Sequence, residues 1–168
     1  AVPILQAAAQ VNPSDPRPLT ALGVAQDKVG DHAAAQQSYK AVLSLDPNNR
    51  AALNNLALSM ALTGDEAGAV KILEGLNSSA TASSVVRQNL ALVYGVNGQL
   101  DQSERLGRVD LAESSVQQNL TKLRATSSPT DRAALLNSSL GVELKGMQYS
   151  AAQQLTMMPT SPAQLPLD

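Results

Sequence analysis

The sequence predicts an all-α array of antiparallel helix pairs. Three observations carry this. Gly30, Gly64 and Gly98 are spaced 34 residues apart, and Leu22, Leu56 and Leu90 keep the same interval, as do Ala35, Ala69 and Ser103. A fixed period of this length marks a helix–turn–helix repeat, which buries its apolar face only by stacking on its neighbours. Hydrophobic residues make up 43 % of the chain but aromatic residues only 2 %, with no Trp and no Phe. A core of Leu, Val, Ile, Met and Ala suits close helix–helix packing better than a β-sandwich.

The elements follow in order. Pro13 precedes Pro47 by one period, and Leu5 precedes Tyr39 by one period. Residues 1–12 therefore read as the second helix of a preceding unit. The expectation is a chain that begins inside a repeat, as a fragment or a product cut within its array. In the first full unit, Asp15 followed by Pro16 reads as an N-cap with Pro at the first helical position. Gly30, Gly64 and Gly98 are placed to end a first helix in the left-handed conformation. Asp31 and Asp65 are placed to cap the second helix. Asp101 and Glu104 have the spacing of a capping box in the third unit.

A further helix is expected at 111–124, with Val116, Leu120 and Leu123 on one face. Thr126-Ser127-Ser128-Pro129 breaks the pattern. Short helices are expected at 130–140, carrying Leu135, Leu136 and Leu140, and at 148–157, followed by an extended Pro-rich tail from Pro159 to Asp168. The chain thus divides into a repeat domain with its capping helix (1–124) and a C-terminal extension (125–168).

The units resemble the tetratricopeptide (TPR) pattern, W-x2-L-G-x2-Y, then A-x3-F, then P. Unit one reads Leu19-x2-Leu22-Gly23-x2-Gln26, Ala35-x3-Tyr39 and Pro47. Unit two reads Leu53-x2-Leu56-Ala57-x2-Met60 and Ala69-x3-Leu73. Unit three reads Arg87-x2-Leu90-Ala91-x2-Tyr94 and Ser103-x3-Gly107, with Gly107 at the bulky position. The fold class is a TPR solenoid of one half repeat and three repeats, with a capping helix and an extended tail.

Nothing in the chain forms a recognisable catalytic or cofactor motif. The formal net charge is −2, no Lys/Arg cluster stands out, and stacking aromatics are nearly absent, which argues against nucleic-acid binding. There is no cysteine, so disulfides and thiolate metal sites are excluded. The single histidine, His32, reads as a packing residue or a neighbour of the cap, because one imidazole without companions at ligand spacing builds no usual zinc site. Acidic residues at helix starts suit the helix dipole. No phosphate-binding glycine loop occurs, and the periodic glycines are turn residues. The expectation is a non-enzymatic protein without cofactor or metal.

Function is expected on the concave side, which the first helix of each pair lines. The face opposite the packed positions presents Thr20, Val24 and Lys28 in unit one, Asn54, Asn55, Leu58 and Leu62 in unit two, and Gln88, Asn89, Leu92 and Val96 in unit three. Val24, Leu58 and Leu92 form one equivalent row, and Leu62 and Val96 form the next. These positions are expected to be partly exposed, and a contiguous apolar patch of this kind marks an interaction site. The amides can donate to and accept from a peptide backbone. Two occupants stand open: a partner peptide or helix, and the chain's own C-terminal segment. The carboxylate clamp of TPR co-chaperones needs basic residues on these rows, where this sequence has Ala51, Leu58, Val85 and Asn89. That clamp is excluded.

A stretch beyond the repeats narrows the resemblance. Arg108-Val109-Asp110-Leu111, Val116-Gln117-Gln118-Asn119-Leu120 and Leu120-Thr121-Lys122-Leu123-Arg124 look like the ending of the TadD family, TPR lipoproteins of bacterial tight-adherence (Tad) pilus systems. The resemblance implies an outer-membrane lipoprotein facing the periplasm, a pilotin that binds the pilus secretin, in particular its C-terminal part, and aids its assembly or localisation. The alternative is a generic TPR scaffold or co-chaperone of another secretion or envelope complex, in the periplasm or the cytoplasm.

Overall fold

The computed structural model describes residues 1–126 and 128–139. Among them the elements are α1 (Val2–Val11), α2 (Pro16–Lys28), α3 (His32–Leu45), α4 (Arg50–Leu62), α5 (Glu66–Asn77), α6 (Ser84–Val96), α7 (Leu100–Asp110), α8 (Glu113–Ala125) and α9 (Pro129–Ser139), with no strand. Helices α2 and α3, α4 and α5, and α6 and α7 pack as hairpins, while α1 packs on α2 as the half repeat requires. The hairpins stack through α3 on α4 and α5 on α6.

The period is built into the turns. Gly30, Gly64 and Gly98 have φ of 86°, 88° and 81°, a region open to glycine at little cost. At each one the same pair of bonds closes the preceding helix. Gly30 N–H donates to Asp27 O and Asp31 N–H to Gln26 O; Gly64 and Asp65 repeat this on Ala61 and Met60, and Gly98 and Gln99 on Gly95 and Tyr94. This is the Schellman arrangement, which satisfies carbonyls that a helix end leaves unpaired. Asp31 and Asp65 then cap the next helix by accepting from Ala34 N–H and Gly68 N–H. Asp15 caps α2, ahead of Pro16, by accepting from Arg17 N–H two residues on.

The third unit departs from the expected capping box. Its N-cap is Gln99, one period after Asp65, and it makes no side-chain cap bond. Asp101 lies inside the first turn of α7, and Glu104 pairs with Arg108 one turn on, at 2.6 Å. The repeat register, rather than the local Asp-x-x-Glu spacing, decides where α7 begins.

Small residues bring the paired helices together. Ala35 and Ala69 are completely buried and Ser103 nearly so. Gly23 lies against the ring of Tyr39, so close that a Cβ there would overlap it. Tyr39 and Leu73, one period apart, are both fully buried. The terminal helix α8 buries Val116, Leu120 and Leu123, the face expected from their spacing. The chain then returns: α9 packs on α4 and α6. Leu136 is 1 % exposed and joins the core cluster that contains Leu58, Leu73 and Val93. Leu140, the helix expected at 148–157 and the Pro-rich tail lie outside the described residues.

Candidate functional site: the inner face of α4 and α6

Helices α2, α4 and α6 are the first helices of their pairs, and α9 lies on the surface that α4 and α6 share. Its direction follows from its neighbours. Arg132 borders a cleft with Gly95, Val96 and Gly98 at the end of α6, whereas Ser138 and Ser139 border a cavity with Val85 and Gln88 at its start. Helix α9 therefore runs antiparallel to α6.

The structure consequently closes most of the face that the sequence leaves open. Leu58, Asn54 and Asn55 are fully buried, Asn89 is 3 % exposed and Val96 5 % exposed. Val24 is buried as well, in a cluster with Ala35, Tyr39 and Leu56 that holds the first two units together. The expectation of partial exposure is corrected at these six positions. The physical reason on α4 and α6 is the returning helix, which supplies Leu136 to the same core as Leu58 and Val96. Leu62 and Leu92 are half-buried, and Gln88 is exposed.

Beneath this face runs a polar row. Asn89 Nδ2 donates to Asn54 Oδ1 at 2.8 Å, linking α6 to α4. Asn54 Nδ2 and, on α9, Asn137 Oδ1 are buried without a hydrogen-bond partner. A buried amide donor left unpaired costs about 1–3 kcal/mol.

Beside α9 a cavity of about 260 Å³ opens between α6, α7, α8 and α9. Gln88, Asn89 and Leu92 line it from α6, Gly107 from α7, Leu120 from α8 and Leu135 from α9. Its origin is visible in the repeat. Units one and two place Tyr39 and Leu73 where unit three has Gly107, and a Cβ on Gly107 would only just reach Val116, at 3.6 Å. The missing bulky side chain leaves room beside the inner face.

A second polar group was not found from sequence. Asp27, 1 % exposed, sits where α2, α3 and α4 meet. His32 Nδ1 lies 2.7 Å from its Oδ1, Ser59 Oγ donates to the same oxygen at 2.8 Å, and Tyr39 Oη donates to Oδ2 at 3.0 Å. Burial raises the Asp27 pKa, and the bonds from His32, Ser59 and Tyr39 oppose that rise. Burial likewise raises the Tyr39 pKa, with the Asp27 charge adding to it. The Ser59 hydroxyl is spent on the carboxylate rather than aligned on the imidazole, so the group lacks the nucleophile–base pairing of a hydrolase. It fastens three helices. The signal for it was Tyr39 itself: a tyrosine at a buried position needs an acceptor for its hydroxyl.

Among the described residues, no group of three His, Asp or Glu side chains is arranged to hold a metal ion. None of their helices is long and apolar enough to cross a membrane.

Comparison with known proteins agrees with this geometry. No curated protein matches the chain. A family model described as tetratricopeptide repeat matches residues 28–93, from the end of α2 to within α6. The helix pairs, the recurring glycine turns and this match together give the described residues the fold of an all-α solenoid of tetratricopeptide type, an architecture that points to a protein-binding module.

Proposed function

We propose that the chain is the pilotin-type component of a bacterial Tad pilus system, which binds the outer-membrane secretin and aids its assembly or localisation. The protein-binding part of this reading rests on the solenoid. The Tad assignment rests on the resemblance of Arg108–Leu111 and Val116–Arg124, which form the end of α7 and most of the capping helix α8. On this reading the protein works as a lipoprotein at the periplasmic face of the outer membrane and catalyses no reaction.

The observation that carries the binding site is the cavity beside Gly107, bordered by the half-buried Leu92 and the exposed Gln88. It offers an apolar recess and amide groups side by side, which suits an extended segment or a helix that anchors one bulky side chain.

Titration with the secretin's C-terminal segment tests the proposal. Leu92→Asp and Gln88→Arg are expected to weaken binding by about tenfold or more while the circular dichroism spectrum stays that of wild type. Equal affinities would move the site elsewhere on the molecule. A wild-type chain that ignores the secretin segment would remove the Tad assignment and leave a scaffold of another envelope complex.

A further inference from the structure

We infer that the α4–α6 face is a receptor for a short helix carrying adjacent leucines, and that α9 is its built-in, exchangeable occupant. The inference rests on the inner face as the binding surface and names the chemistry of what that surface takes.

Two sets of observations support it. The first is how little α9 gives to the core. Leu136 is its one buried residue and Leu135 is half-buried, whereas Asp131, Arg132, Ala134 and Ser138 are exposed. Ala133, Asn137 and Ser139 are half-buried as well. With one fully buried side chain over three turns, α9 is a satellite of the array rather than part of its stack, and it packs on α4 and α6. The second is the polar mismatch. Asn54 Nδ2 lies on α4 and Asn137 Oδ1 on α9, the two packed helices, and each is buried and unpartnered. A permanent core contact rarely leaves both a donor and an acceptor unpaired. A helix that exchanges between bound and released states tolerates such a defect, because release returns the Asn137 carbonyl to water.

The face therefore has a defined ligand class. The incoming segment is an amphipathic helix antiparallel to α6, with one leucine entering the core near Leu58 and its neighbour directed to the cavity edge that Leu135 lines. Net binding is the difference between that helix and α9, so α9 sets the apparent affinity by occupying the site.

A fluorescein-labelled peptide with the sequence of residues 128–139 serves as the probe, titrated against the full chain. Wild type is expected to bind it weakly, because its own α9 fills the site. Leu136→Asp, which ejects the intrachain helix, is expected to bind the peptide about tenfold more tightly or better. The same peptide with both leucines replaced by Asp is expected to bind neither protein. Equal affinity of wild type and variant, or no binding to the variant, would overturn the inference. Hydrogen exchange on the wild-type chain guards against a variant that misfolds. Amides of α9 are expected to exchange about 100-fold faster than those of α4 and α6; equal protection would mean that α9 opens only with the whole array. Because neither measurement uses the secretin, failure here is separable from failure of the Tad assignment.

Discussion

At Gly23 a single hydrogen atom decides how closely α2 and α3 approach. The Tyr39 ring fills the space a side chain would need, and it cannot retreat: it is completely buried and its hydroxyl is bonded to Asp27. Gly23→Ala gains up to about 1 kcal/mol in helix propensity. Overpacking against a fixed ring costs about 1–3 kcal/mol, so the expected net effect is a lower urea midpoint. Gly75→Ala is the contrast. Gly75 lies within α5 with nothing near its missing Cβ, and there the propensity gain is expected to appear undiminished. A Gly23→Ala protein as stable as wild type would show that Tyr39 is free to move. The small residue at position 23 was legible from the repeat pattern. The reason Tyr39 is rigid was not, because Asp27 and Ser59 lie outside the consensus positions and meet only after α2, α3 and α4 have stacked.

Between elements, the chain uses the same caps repeatedly and then replaces them. Units one and two start their second helix on Asp31 and Asp65; unit three has Gln99 and no side-chain cap. The third hairpin has an ion pair instead. Arg87 on α6 bonds Asp110 at the end of α7 through two parallel contacts of 2.7 and 2.6 Å. This fork geometry is the strong form of such a pair. The bond to Arg87 holds the Asp110 carboxyl below its ordinary pKa, against a smaller opposing effect of burial. A depressed carboxylate pKa contributes stability that is complete above the ordinary value, near pH 4, and is lost as pH falls through the folded-state value. Asp27 has the opposite sign: its raised pKa gives a contribution present at low pH that is lost as pH rises through that value. Comparing wild type with Asp110→Asn cancels the Asp27 term. The variant is expected to unfold at lower urea than wild type at pH 7, with the gap closing below about pH 4. A gap independent of pH would assign the loss to packing rather than to the charge pair.

On the scale of the molecule, the helices were legible both within the repeats and beyond them, at 111–124 and 130–140, whereas the capping box of unit three and the exposure of the inner face were not. The hairpins, their turns and the buried face of α8 all follow from spacing. The row of Leu58, Asn54 and Asn89 was placed on the correct helices, but its exposure depends on α9, which has no periodic partner to reveal where it docks. In a linear array each unit touches only its neighbours, so the consequence of a defect depends on its position. Leu73 is fully buried on α5, in the central unit, and Leu73→Ala is expected to cost about 2–5 kcal/mol and to lower the whole unfolding transition. Leu120, equally enclosed at 2 % exposure, lies on the terminal helix α8. Leu120→Ala removes the same side chain, yet it is expected to act by fraying. Amides of α8 should lose protection in hydrogen exchange while those of α3, α4 and α5 keep theirs. If Leu120→Ala instead lowered protection evenly from α2 to α8, the array would unfold as one cooperative block, and α8 would be part of its nucleus rather than the lid on its end.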